Sequence, residues 1–106
     1  MILAAQDACA FLVGLDEAAF MASRLHQHAV IRALEIIGEA AGKVSSTTKA
    51  AHSEIPWREI TGMRHRLIHG YKDVRLEMVW LVATERLATL IAALQPLVAD
   101  ESDTGP

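Results

Sequence analysis

Arg64-His65-Arg66-Leu67-Ile68-His69-Gly70-Tyr71 places a pair of guanidiniums, a pair of imidazoles and a phenol within eight consecutive positions. A guanidinium grips phosphate oxygens as a bidentate fork. An imidazole titrates close enough to neutrality to take up and release protons. These residue types together point to chemistry on a phosphodiester, with Arg64 holding phosphate charge and His69 moving protons. The same spacing also describes a plain basic helix end, because cations favour the last helical turn and Gly70 is a good C-terminal cap. The formal net charge is -3, which excludes a protein that coats nucleic acid indiscriminately. Yet five of the ten Lys and Arg residues (Arg58, Arg64, Arg66, Lys72, Arg75) lie between positions 58 and 75, where the acids are Glu59 and Asp73. A focused basic site on an acidic body suits the gripping of a short stretch of phosphate.

The elements that must position this segment are legible as helices. A chain of 106 residues is one domain, and 52% hydrophobic content with only five aromatic residues and many alanines favours closely packed helices, an all-α protein. Met1, Ala5, Ala8, Leu12 and Leu15 recur at helical steps and give a first helix closed by Gly14 and Asp16. Asp16 caps a short helix through about Phe20. A longer helix follows from about Arg24, with Leu25, Ala29, Ala33, Ile36, Ile37, Ala40 and Val44 expected on its inner face, until Ser45-Ser46-Thr47-Thr48 weakens it. Gly38 and Gly42, four apart on that helix, allow close approach of a neighbour. Pro56 fits the first turn of a third helix, which carries Ile60, Met63 and Leu67 inward and ends at the motif. Asp73 is placed to cap a fourth, with Leu76, Val79, Trp80, Ala83, Leu87, Leu90, Ile91, Leu94 and Leu97 as its apolar stripe. The domain is expected over 1–98, and the acidic, unpatterned 99–106 is expected to be disordered.

Helical geometry constrains the motif. Successive residues turn about 100°, so positions 64 and 69 of a regular helix lie about 140° apart. One face of one chain holds both only if His69 sits in a distorted final turn freed by Gly70 and Tyr71 leaves the helix. Stoichiometry adds a second condition: cleaving a phosphodiester by proton transfer needs a base for the attacking hydroxyl and an acid for the leaving oxygen, and the motif offers one well-placed His. A two-fold dimer supplies two, together with two Arg64 side chains for the anionic transition state.

The stretch Ile55-Pro56-Trp57-Arg58-Glu59-Ile60-Thr61-Gly62-Met63-Arg64-His65-Arg66-Leu67-Ile68-His69-Gly70-Tyr71, followed by Val79-Trp80, closely resembles the HEPN superfamily, in its HepT-like branch. Arg32-Ala33-Leu34-Glu35-Ile36-Ile37-Gly38-Glu39-Ala40-Ala41 is similar to a second signature of that branch, and the resemblance spans roughly 1 to 98. Its core pattern maps onto Arg64, His65, His69 and Tyr71; the polar position most often held by Asn in this branch is His65 here. The resemblance implies a HEPN-type up-and-down bundle of four main helices plus short helices, dimeric or a higher homo-oligomer. It implies a metal-independent endoribonuclease that needs no cofactor, with Arg64 and His69 catalytic and His65 and Arg66 supporting. It further implies the toxin of a type VII-like toxin-antitoxin pair, neutralised by adenylylation of Tyr71 by a cognate minimal nucleotidyltransferase. The competing reading is a non-catalytic helical adaptor or nucleotide-binding subunit of that transferase.

Outside the motif the polar residues suggest less. His26 and His28 are two apart on a helix, point to different faces and have no companion ligands, so no metal site is expected. His52 is expected in a solvated connection, and Trp57 and Trp80 in the core or an interface. Glu35 and Glu39 share a face and suit either a salt-bridged surface or a cleft lining. Lys72 and Arg66 are candidate contacts to an RNA backbone. The single Cys9 has no intrachain partner, which suits core packing in a reducing compartment. No apolar run reaches the ~18 residues of a membrane span, and Gln6 and Asp7 interrupt the apolar start, so a cytoplasmic protein is expected.

Overall fold

The computed structural model describes residues 1–69 and 75–104, with side chains other than those of His69 and 98–104. It is built from helices α1 (Ile2–Phe11), α2 (Glu17–Met21), α3 (Arg24–Gly42), α4 (Ser46–Ala51), α5 (Trp57–His69), α6 (Leu76–Leu81) and α7 (Leu87–Thr104), with a π-helical turn, Val82–Arg86, joining the last two. No strand occurs among the described residues. The all-α expectation therefore holds, and the four main helices are α1, α3, α5 and the α6–α7 arm.

Local signals set the early boundaries. Gly14, at φ 82, takes the left-handed conformation that releases the chain from α1. The Asp16 side chain then accepts a bond from the Ala19 amide at 2.8 Å and starts α2. Ser23 caps α3 in the same way, accepting from the His26 amide at 3.3 Å. Gln27 is buried, and its Nε2 donates at 3.0 Å to the carbonyls of both Phe20 and Met21, so one polar side chain satisfies the end of α2 and ties it to α3.

The core sits on α3. Ala5 and Ala8 of α1 are fully buried, and their small side chains let α1 lie close against α3. Phe20, Val30, Leu34 and Ile37 are also fully buried, and Phe20 packs its ring against Trp80 at a centroid distance of 5.4 Å. Cys9 sits beside the π turn, its Sγ 3.8 Å from the Ala83 carbonyl oxygen.

Three local expectations change. The inner stripe of α3 is Gln27, Val30, Ala33, Leu34, Ile37, Gly38 and Ala41, whereas Leu25 is 77% exposed and Ile36 40% exposed. Apolar residues occupy more than one side of this helix, and its neighbours, not its period, select the side that is buried. The run Ser45–Thr48 begins a helix as well as following one: Ser45 accepts from the Thr48 amide at 3.1 Å and caps α4. The N-cap position of α6 falls on Arg75, without a side-chain capping bond, and Asp73 lies outside the described residues. α7 itself runs to Thr104, with Pro96 inside it.

Candidate active site

α5 presents Trp57, Ile60 and Leu67 to the interior, each less than a tenth exposed. At about 100° per residue, position 64 lies within about 60° of all three, in the middle of the buried stripe. A guanidinium at a core-facing position costs stability unless its polar atoms are served. α3 accommodates it with Gly38. A Cβ added at Gly38 would overlap the Cβ of Arg64 and approach its Cγ and Cδ to 3.1 and 3.2 Å, so the stem of Arg64 lies across bare backbone. The Arg64 Nε is buried and has no hydrogen-bond partner among the described residues. One turn earlier on α5 is Thr61, whose Cγ2 a Cβ added at Gly42 would meet at an ordinary 3.9 Å and whose hydroxyl donates to the Trp57 and Arg58 carbonyls of its own helix.

The other motif residues diverge from Arg64. α5 remains α-helical through His69, its last residue, without the distorted turn that would bring position 69 round to position 64. The two positions are thus about 140° apart on the helix axis. Gly70, Tyr71 and Lys72 lie outside the described residues. His65 and Arg66 are exposed. Arg66 faces a cleft of about 670 Å³ between α5 and the α6–α7 arm, floored by Leu34 and Ile37 of α3. Arg75 and Arg86 line the same cleft, so three arginines face one acid, Glu59. Arg64 is not among its lining residues. The structure therefore separates Arg66 from Arg64: one edges an apolar cleft, the other is seated against α3.

Sequence reading missed two of these placements. Arg86 follows Arg75, Val79 and Val82 at steps that keep a helical residue on one face, a spacing that could have placed it beside the cleft. The Gly38–Arg64 contact joins segments 26 positions apart, and only the pairing of α3 with α5 reveals it.

The remaining candidates have ordinary roles. His26 Nδ1 lies 2.6 Å from the Ser23 hydroxyl. His52 Nδ1 lies 3.6 Å from Glu54, and its carbonyl accepts from the Trp57 indole at 3.0 Å. Glu35 and Glu39 pair with Arg32 and Lys43 at 3.2 and 3.5 Å. Among the described residues, no group of three or more His, Cys, Asp or Glu side chains could hold a metal ion.

The profile of the HepT-like family, described as "Ribonuclease HepT-like", matches residues 1–97. The chain belongs to the HepT-like family. Among its HepT-like relatives is a protein of Thermococcus cleftensis named "Probable ribonuclease HepT", 42% identical over 78 residues that cover 74% of this chain and 71% of the relative. A "Putative RNase" of Caldanaerobacter subterraneus subsp. tengcongensis is 32% identical over 97 residues, covering 88% and 87% of the two chains. Another of that name, from Methanocaldococcus jannaschii, is 35% identical over 81 residues, covering 76% and 74%. No solved structure matches. The all-helical architecture agrees with the HEPN-type fold of a HepT-like protein.

Proposed function

We propose that this HepT-like protein is an endoribonuclease in which Arg64 supplies positive charge to the scissile phosphate and His69 transfers protons. The observation that carries the reading is the placement of Arg64. A guanidinium in the middle of a buried helical stripe, with an unpaired buried Nε, is poorly suited to stabilising the fold and well suited to meeting an anion from outside it. Membership of a ribonuclease family supports an RNA phosphodiester as that anion.

In the reaction, one imidazole takes the proton of the 2'-hydroxyl as its oxygen attacks phosphorus. A second imidazole protonates the departing 5'-oxygen. The bond to O5' breaks as the bond to O2' forms. The angular separation of positions 64 and 69, together with the need for two imidazoles, supports a site composed across a homodimer. Cationic side chains and imidazoles provide both charge stabilisation and proton transfer, so the mechanism runs without a metal.

The wider reading is a toxin of a type VII-like toxin-antitoxin pair acting in the cytoplasm, where its RNA substrate lies. Among the described residues no helix is long and apolar enough to cross a membrane. A cognate minimal nucleotidyltransferase would attach an adenylyl group to Tyr71, two residues beyond His69. The added negative charge and bulk would then oppose RNA at a cationic site. This part rests on the motif's resemblance to the family.

The test is cleavage of total RNA by the purified protein with and without a chelator. Chelator should leave the activity intact, and Arg64→Ala and His69→Ala should each lower the rate on the order of 10²-fold or more. Full activity in His69→Ala would overturn the mechanism. An intact protein that never cleaves RNA would leave the adaptor role in its place.

A further inference from the structure

The contact between α3 and α5 carries a consequence for a residue outside the motif. We infer that Gly38 is a positioning residue for Arg64: its missing side chain is the seat that holds the guanidinium in the productive direction. The inference rests on the catalytic reading of Arg64, but its structural half can be measured separately.

Gly38 is buried and faces Arg64 across the helix pair. The overlap that a methyl group there would create involves the Arg64 Cβ, an atom fixed by the α5 backbone that no side-chain rotation can move. The same methyl would come within 3.1 and 3.2 Å of Cγ and Cδ, closer than ordinary contacts, so it would crowd the start of the stem as well. A methyl at position 38 can therefore be accommodated only by moving α5 away from α3, which displaces Arg64 directly. The buried, unpartnered Nε is the second observation: solvent is excluded from the first nitrogen of the guanidinium as well as the stem being held against α3. Gly42 supplies the control. It lies one turn along the same helix and faces the same neighbour, yet a methyl there meets only Thr61 Cγ2 at 3.9 Å. Gly42 is exposed where Gly38 is buried, so a methyl at 42 adds the same group to the same helix without meeting Arg64, and a loss confined to position 38 traces to that contact.

The experiment follows the Arg64 Nε–H resonance by nitrogen-15 NMR, assigned by its loss in Arg64→Lys, alongside RNA cleavage. In the wild-type protein this proton should exchange with solvent at least about 10-fold more slowly than that of Arg32, whose side chain is 64% exposed. Gly38→Ala should abolish the protection and lower cleavage by about 10-fold to 10²-fold, the range a displacement near 1 Å produces. Gly42→Ala should leave both unchanged. Wild-type exchange as fast as at Arg32 overturns the inference whether or not Gly38→Ala folds. A folded Gly38→Ala with the wild-type signal and rate also overturns it, as do equal losses in Gly38→Ala and Gly42→Ala. A shifted signal with undiminished cleavage upholds the seat and instead removes Arg64 from the reaction.

Discussion

The two sides of α3 are built differently. Toward α1 and α2 the packing is complete: Ala5, Ala8 and Phe20 have no exposed surface, and the one buried polar side chain, Gln27, has two carbonyl partners. Toward α5 the packing is interrupted. Half-buried Arg64 rises from the apolar stripe with its Nε buried and unpaired, and beside it α5 stands off from the α6–α7 arm to leave an apolar cleft edged by arginines. Among the described residues the first side leaves no buried side-chain polar atom unpaired, and it works as scaffold. The second retains unused hydrogen-bonding capacity and unfilled apolar surface, and the candidate chemistry lies there. Stability and function are thus divided between the faces of one helix, and substitutions on the two sides should separate the two properties.

The largest effect on folding is expected on the closed side. Phe20→Ala removes a fully buried ring and its packing against Trp80, and should cost about 3–5 kcal/mol, read as a lower urea midpoint with little change in slope. A loss below about 1 kcal/mol would mean that this side is loosely packed and would erase the contrast. Ala8→Leu tests the same side by addition. With no exposed surface at Ala8, the larger side chain must push α1 outward, at a cost of about 1–3 kcal/mol. Both variants should retain the cleavage rate per folded molecule, because α1 and α2 pack chiefly on α3 and the α6–α7 arm.

The closed side was also the more legible in the sequence. Alanine spacing marked α1, Asp16 marked α2, and the all-helical class followed from composition. Those signals are local: caps and short periodicities act within a few residues. On α3 the period alone chose wrongly, exposing Leu25 and Ile36, because several of its sides carry apolar residues and only the neighbouring helices decide between them. The site was legible as a list of residue types but not as an arrangement. Arg64, His65, Arg66 and His69 are close in sequence, yet helical rotation directs position 64 to α3 and position 66 to the cleft. Gly38 was visible as a residue permitting close approach, but its partner was not, since nothing local in α3 specifies which residue of α5 it meets.

The smallest effect is expected at the open cleft. Met78 is 53% exposed at its edge, so replacing its thioether by an amide of similar length leaves no new void and strands no polar atom. Met78→Gln should change folding stability by no more than about 0.5 kcal/mol, as for a surface position without special contacts. Were the cleft closed in solution, the amide would instead be forced against Met63, Val82 and Leu90 and would lose the water that now reaches it. The cost would then rise to about 1–3 kcal/mol, the penalty for a buried amide without partners. Measuring the urea midpoint at several protein concentrations tells the two apart. A small and concentration-independent change keeps the open side open; a large one that grows with protein concentration would show that a second copy covers it, and the contrast between the two sides would belong to the separated chain alone.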